Sequence, residues 1–179
     1  MTKNKIILIS AKAQHGKDST ANIIYEELTK RGKKVLITHF ADLLKYICKT
    51  FFGWNGNKDD KGRSILQYVG TNVVRKKEPD YWVNFVKSIL NLFPDEWDYI
   101  IIPDCRFPNE ADGFDNYDHI NLRITRTDFK SSLTEDQQKH PSETALDNYE
   151  FDYYINTKSG LDNVRREVDK FLKWMNKRA

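Results

Sequence analysis

The stretch that decides the fold is SAKAQHGKDST, residues 10–20, which joins a predicted strand to a predicted helix. The β-branched apolar run from Lys5 to Ser10 predicts a buried strand, and Lys17 to Arg31 predicts a helix. Gly16 allows backbone to approach an anion closely. The free N–H groups of the helix start and the Lys17 ammonium then favour phosphate. The stretch therefore predicts a phosphate-binding loop.

This loop departs from the usual G-x-x-x-x-G-K-[ST] pattern at two positions. Ala11 replaces the first glycine, and Asp18 stands where a hydroxyl normally binds Mg²⁺. A carboxylate there repels a triphosphate unless a cation lies between them, so we predict that Asp18 binds Mg²⁺, directly or through water. Taken alone, the motif also fits an ordinary strand–helix loop. The predicted contacts to ATP are Ala13, Gln14, His15, Gly16, Lys17, Asp18 and Ser19.

Predicted strands and helices alternate along the rest of the chain. Further strands are predicted at Lys34–Phe40, Asp98–Pro103, His119–Thr125 and Phe151–Asn156, and further helices at Asp42–Phe52, Arg63–Lys77, Tyr81–Phe93 and Leu161–Lys177. This alternation is typical of a parallel sheet with helices on both faces. We therefore expect an α/β fold of the P-loop NTPase type, with three α/β/α layers and a five-stranded parallel sheet. Residues 1–179 are expected to form one domain, with acceptor-binding helices at about 54–93 and a lid at about 126–145.

Composition narrows the functional classes. A chain of 179 residues with 39% hydrophobic content is long enough for a substantial core. No apolar run is long enough for a secretion signal or a membrane span, so a cytoplasmic protein is expected. The net charge of +3 is small for a protein that binds nucleic acid polymers. Cys48 and Cys105 lie far apart, without metal-ligand spacing, and are predicted to be reduced thiols.

Two residues follow the predicted strand at Asp98–Pro103, at the edge where ligands bind in open α/β sheets. Asp104 could hold Mg²⁺ or accept a proton; the alternative is a cap of the next turn. Arg106 suits bidentate binding of phosphate; the alternative is a surface ion pair with Glu110.

The helix predicted from Arg63 places positions 63, 67, 70 and 74 on one face. We assign Arg63 to an acceptor phosphate and Gln67 to a base or sugar, although a solvated face also explains Gln67. Gly70 inside a helix indicates close approach by another group. Arg75 and Trp82 are further substrate candidates, with a solvated basic cluster and core packing as their respective alternatives.

A polar segment, RTDFKSSLTEDQQKHPSE, begins at Arg126, where the fourth predicted strand ends. A segment of this length inside a compact domain is either functional or disordered. A lid here could bring an arginine onto a transferring phosphoryl group. Arg126 is the better candidate, because Arg123 could face solvent along the strand.

Five blocks in order resemble those of bacteriophage-type deoxynucleoside monophosphate kinases, which are related to animal-type phosphomevalonate kinases. They are GKDS at residues 16–19, RSILQYVGT at 63–71 continued by Arg75 and PDYWV at 79–83, DCRFPNE at 104–110, HPSE at 140–143 and YEFD at 149–152. The resemblance implies ATP-dependent phosphorylation of a deoxynucleoside monophosphate, with small-molecule nucleotides as partners and a homodimer as a family-level expectation. It gives no role for His140, Ser142 and Glu143, and Ser142 also fits a helix cap.

The catalytic candidates are Lys17, Asp104, Arg106 and Arg126, and the metal candidates are Asp18 and Asp104. The substrate candidates are Arg63, Gln67, Arg75, Trp82 and Arg106. Three alternatives stay open: a kinase of another small phosphate ester such as phosphomevalonate, an ATP hydrolase or switch, and a nucleotide-binding module without catalysis. The last is suggested only by Ala11 in place of glycine.

Overall fold

The structure, a computed structural model, describes residues 4–178. Its chain falls into two compact units. The first unit comprises the chain up to Thr38 and from Pro94 onward, and the second comprises His39–Phe93. The second unit includes the helices predicted to bind the acceptor. That the whole chain works as one domain stays a prediction.

The first unit is built on a parallel sheet of five strands. They are β1 (Lys5–Ala11), β2 (Val35–Ile37), β3 (Tyr99–Ile102), β4 (Asp118–Arg126) and β5 (Tyr153–Thr157), in the order β2-β3-β1-β4-β5. The apolar runs of β1 and β3 are almost fully buried, as expected for parallel strands that are covered on both faces. The predicted α/β class with a five-stranded parallel sheet is therefore confirmed.

The helices, in chain order, are α1 (Lys17–Lys30), α2 (Ala41–Phe51), α3 (Asp60–Gln67), a π-helix (Tyr68–Arg75), α4 (Tyr81–Leu92), α5 (Pro108–Ala111), a 3₁₀ turn (Asp112–Phe114), α6 (Glu135–Lys139), α7 (Pro141–Thr144) and α8 (Leu161–Arg178). The short helices α6 and α7 lie in the segment predicted as a lid. Closure of that segment over a ligand stays a prediction. None of the helices in the described residues is both long and apolar enough to span a membrane.

Helices α1 and α8 pack with the sheet in the main core of the first unit. The buried residues of α8 recur at helical spacing and are Val164, Val168, Phe171, Leu172 and Met175. In α1 the buried residues include Ala21, Ile23, Ile24 and Leu28, whereas Tyr25 is 39% exposed. A tyrosine at the border of a buried stripe keeps its hydroxyl in water.

In the second unit, the helix predicted from Arg63 to Lys77 is not a continuous α-helix. After Gln67 the chain continues as a π-helix, whose hydrogen bonds skip one residue more than those of an α-helix. The expectation that positions 63, 67, 70 and 74 share one face is therefore wrong beyond Gln67. The close approach predicted at Gly70 exists, because a Cβ there would lie 2.6 Å from Leu44 Cδ2 of α2. It is a packing contact between helices.

Candidate functional site

The candidate site lies at the carboxyl edge of the sheet, where the strand order reverses around β1. Open α/β sheets bind ligands at such a switch point. The phosphate loop follows β1, Asp104 and Arg106 follow β3, and Arg126 is the last residue of β4. Because β3 and β4 both pair with β1, the catalytic candidates belong to adjoining strand ends.

The turn of the phosphate loop is made by two residues in the left-handed region. Gly16 has φ 86° and Gln14 has φ 64°, and Gln14 is the one non-glycine residue with positive φ among residues 4–178. Such backbone is costly for a side chain that carries a Cβ and clusters at functional sites. Ala11 is still part of β1 and pairs with Ile124 in the parallel register. A residue in this strand conformation does not have to be glycine. Ala11 therefore no longer favours a nucleotide-binding module without catalysis.

Lys17 and Asp18 form an ion pair at the start of α1. Lys17 Nζ lies 2.7 and 2.8 Å from the two carboxylate oxygens of Asp18. The Asp18 side chain is 63% exposed and that of Lys17 is 15% exposed. The predicted phosphate ligand and the predicted metal ligand therefore neutralise each other.

Asp18 and Asp104 can supply only part of the ligand shell of Mg²⁺. Among the described residues, no group of three or more His, Cys, Asp or Glu side chains could hold a metal ion. Asp18 offers an exposed carboxylate, and Asp104 is half-buried just beyond β3. Mg²⁺ commonly takes one or two carboxylates and completes its shell with water and substrate phosphates. This donor set suits that arrangement.

Hydrogen bonds hold both the backbone and the side chain of Arg106. Its backbone N–H donates to Glu110 Oε2 at 2.6 Å, and Glu110 is buried, so Glu110 is not the surface partner that the alternative for Arg106 assumed. Arg106 Nη1 donates to the Ser142 carbonyl oxygen at 3.0 Å and pairs with the Glu143 carboxylate. The other Glu143 oxygen accepts the N–H of Ala13 at 2.8 Å.

Glu143 is the site residue to which the sequence analysis gave no role. Its one sequence signal was its place in the HPSE block. Glu143, Ala13 and Arg106 lie in three stretches that are far apart in the sequence. A local sequence pattern therefore does not reveal the contacts between them.

His15 links the phosphate loop to the end of β4. Its Nδ1 accepts the backbone N–H of Arg126 at 3.0 Å, which leaves the imidazole proton on Nε2. The pKa of His15 is lowered, first by burial and then by the cations of Arg123, Lys12 and Arg126, while Glu143 acts in the opposite direction. His15 is therefore held as a neutral acceptor.

The two arginines of β4 are both held by contacts. The Arg126 guanidinium lies 4.9 Å from the centroid of the Phe129 ring, and its Nε lies 3.3 Å from Asp128 Oδ1. Arg123 donates from Nη1 to Ser10 Oγ at 2.8 Å. Its side chain is 13% exposed, so Arg123 does not face solvent along the strand.

The substrate candidates of the second unit differ in accessibility. Arg63 is half-buried and its Nε donates to the Lys58 carbonyl oxygen at 3.0 Å. Arg75 Nη1 donates to the Pro79 carbonyl oxygen at 3.3 Å, and Gln67 is half-buried at the end of α3. Trp82 is 2% exposed and its indole N–H donates to the Gly70 carbonyl oxygen at 3.2 Å. Trp82 thus has the packing role that was its alternative.

A comparison with known protein families gives one match over most of the chain. Residues 37–168 match the model of a family described as deoxynucleotide monophosphate kinase. A sequence search of curated proteins gives no significant match.

Solved structures of small-molecule kinases share the fold. A mutant of the Mycobacterium tuberculosis APS kinase has a TM-score of 0.51 at 10% identity, over 95% of this chain and 97% of that chain. The same kinase in complex with AMPPNP and APS has a TM-score of 0.50 at 10% identity, over 95% and 98%. A sugar kinase from a Janibacter species has a TM-score of 0.54 at 11% identity, over 97% and 94%. At these identities the likeness shows the fold alone.

Proposed function

This chain belongs to the deoxynucleotide monophosphate kinase family, and from that premise we propose that it transfers the γ-phosphoryl group of ATP to a deoxynucleoside monophosphate. Membership of this family, together with the P-loop kinase fold, indicates a phosphotransferase. The observation that supports the finer proposal is that Lys17 follows β1 and Arg106 follows β3, two strands that are neighbours in the parallel sheet.

In the proposed reaction, an oxygen of the acceptor phosphate forms a bond to the γ-phosphorus. The bond from that phosphorus to the β,γ-bridging oxygen breaks, and ADP leaves with the electron pair. The acceptor oxygen is already anionic, so no general base is required. Catalysis then consists of positioning and charge stabilisation.

The residues of the first unit divide these tasks. Lys17 places a cation on the donor phosphates, and the N–H groups at the start of α1 hold them. Arg106 and Arg126 stabilise charge on the transferring group. Mg²⁺, held by Asp18 and Asp104 with water and phosphate oxygens, would supply further charge neutralisation when bound. The APS kinase structure with AMPPNP supports the choice of an ATP-like donor.

Acceptor recognition is assigned to the second unit. We assign Arg63 to the acceptor phosphate and Gln67 to the base or sugar, with Arg75 as a further phosphate contact. The half-exposed side chains of these residues support that choice. The burial of Trp82 argues against base stacking on its ring.

The proposal is tested by incubating the protein with ATP and Mg²⁺ and with each of dAMP, dGMP, dCMP and dTMP. Ribonucleotides and phosphomevalonate serve as competing acceptors. We expect ADP and a deoxynucleoside diphosphate in equal amounts, measured by chromatography. ADP formed equally well without an acceptor would identify a hydrolase, and transfer only to phosphomevalonate would identify the other kinase. Binding of ATP without turnover would identify a binding module.

A further inference from the structure

The segment 140–147 is joined to the sheet edge by its carboxylates. Glu143 accepts the Ala13 N–H of the phosphate loop. Asp147 lies 2.9 Å from Lys12 Nζ and 3.5 Å from Arg123 Nη2. With the pair of Glu143 and Arg106, the segment therefore contacts residues that follow β1, follow β3 and belong to β4.

Glu143 occupies the middle of this arrangement. One carboxylate oxygen binds the phosphate loop and the other binds the Arg106 guanidinium. The side chains of Glu143 and Arg106 are 10% and 23% exposed. Charge-assisted hydrogen bonds are stronger in such partly dehydrated surroundings, and they fix geometry as well.

The position of Glu143 is itself fixed by the start of α7. His140 caps this turn, because its Nδ1 accepts the Ser142 N–H at 3.2 Å. Pro141 stands at the first helical position, where its fixed φ suits the helix. The turn at residues 140–143 thus holds the Glu143 carboxylate in a defined position.

Arg106 is held in a way that leaves its phosphate-binding edge available. Both of its side-chain contacts, to Glu143 and to the Ser142 carbonyl oxygen, use Nη1. Within the part of the chain that the structure describes, Nε and Nη2 of Arg106 make no hydrogen bond. These two donors form the planar edge that binds phosphate bidentately.

We infer that Glu143 is a positioning residue that holds the Arg106 guanidinium in register with the phosphate loop, so that the Nε–Nη2 edge of Arg106 binds a phosphate group of the substrates. The inference rests on the proposed function. Glu143 touches no reacting atom; the Ala13 N–H fixes the position of its carboxylate, and Glu143 acts on the substrates through Arg106. The alternative role is that the Glu143 carboxylate competes with the incoming phosphate for Arg106. The variants below distinguish positioning from competition.

The first comparison uses Glu143→Gln and, as the matched control, Glu135→Gln. Glu135 lies in α6, just before the segment 140–147, is 88% exposed and pairs only with Lys139 at 3.7 Å among the described residues. We expect kcat of Glu143→Gln to fall by about 100-fold, as when a catalytic group is misplaced by about 1 Å, with the thermal midpoint close to that of the wild type. Glu135→Gln should keep wild-type kinetics. Higher affinity for ATP or faster turnover in Glu143→Gln would show competition and overturn the inference.

The second comparison tests whether Glu143 acts through Arg106. We expect the double variant Arg106→Ala with Glu143→Ala to lose no more activity than Arg106→Ala alone, within about twofold. Losses that multiply would show that Glu143 acts independently of Arg106, which overturns the inference.

A measurement without substrate separates the failure of this inference from the failure of the proposed function. The Nη1–H signal of Arg106, assigned by its loss in Arg106→Lys, should exchange slowly with water in the wild type and in Glu135→Gln, because Glu143 accepts its hydrogen bond. In Glu143→Gln it should exchange rapidly. Equal exchange in all three proteins would show that Glu143 does not hold Arg106, whether or not the wild type phosphorylates any nucleotide.

Discussion

Lys17 Nζ lies 2.7 and 2.8 Å from the two carboxylate oxygens of its neighbour Asp18. A triphosphate that enters the loop competes for the same ammonium, and a cation competes for the same carboxylate. When a nucleotide binds with Mg²⁺, the pair of Lys17 and Asp18 is therefore replaced by two pairs: Lys17 with a phosphate and Asp18 with the cation. Nucleotide without a cation leaves Asp18 facing a like charge, which is unfavourable. The proposed site should thus favour the metal complex of the donor.

Lys17→Ala should lower kcat by at least about 100-fold, the scale on which a single positioned charge-stabilising donor acts. The thermal midpoint should change little, because among residues 4–178 Lys17 pairs only with an exposed carboxylate. Lys30→Ala is the matched control, since Lys30 lies in the last turn of the same helix and pairs with Glu27 on the surface. Wild-type turnover in Lys17→Ala would remove this lysine from the mechanism.

Asp18→Asn should raise the Mg²⁺ concentration needed for half-maximal activity, because the neutral amide is a weaker ligand for a hard cation. The measurement is a magnesium titration at fixed ATP. Asp162→Asn is the control: Asp162 stands at the second residue of α8, as Asp18 does in α1. An unchanged titration in Asp18→Asn would contradict metal ligation at this position.

His15 should make stability depend on pH. Its pKa is lowered in the folded protein, chiefly by burial, so the unfolded chain binds the proton more readily. The stability that neutral His15 contributes is therefore present above the unperturbed pKa of about 6.5 and is lost as the pH falls below it. Protonation also ends its acceptance of the Arg126 N–H.

We expect the loss of unfolding free energy between pH 7.5 and 5.5, measured by urea denaturation, to be smaller in His15→Asn than in the wild type. The asparagine oxygen can still accept the Arg126 N–H but does not titrate. Identical pH profiles for wild type and His15→Asn would refute this role.

Gly62→Ala should destabilise the protein by about 1 to 3 kcal/mol, the usual cost of overpacking. A Cβ at Gly62 would lie 2.0 Å from the Asn57 carbonyl oxygen and 2.7 Å from Trp54 Nε1, two groups that are hydrogen-bonded to each other. Gly70→Ala is the control, because the nearest atom is the tip of Leu44, which can rotate away. Urea denaturation should show the larger loss for Gly62→Ala, and the reverse order would contradict the packing described for the second unit.

The sheet could be predicted from the sequence because each strand is a local run of β-branched and apolar residues. The first and last residues of each strand depend on pairing with other strands, which are distant in the sequence. The strand predicted at Lys34–Phe40 is only Val35–Ile37, since it pairs with β3 alone at the sheet edge. The π-helix at Tyr68–Arg75 could not be predicted, because its apolar residues also fit the pattern of an α-helix.

The phosphate loop could be predicted because its chemistry lies in consecutive residues. Glu143 could not be assigned, because its partners, Ala13 and Arg106, are more than 30 residues away. One local signal was available for α6: Thr134 and Gln137 form a capping box, with Thr134 Oγ accepting the Gln137 N–H at 3.3 Å.

The central claim is that the donor's phosphates bind in the loop around Gly16, with Lys17 beside them. The most direct test is a crystal structure with AMPPNP, Mg²⁺ and a deoxynucleoside monophosphate. We expect the β- and γ-phosphates against the N–H groups of residues 14–19, Lys17 Nζ moved from Asp18 to the phosphates, and Mg²⁺ beside Asp18. A triphosphate bound elsewhere, or a Lys17–Asp18 pair that persists with nucleotide bound, would contradict the account.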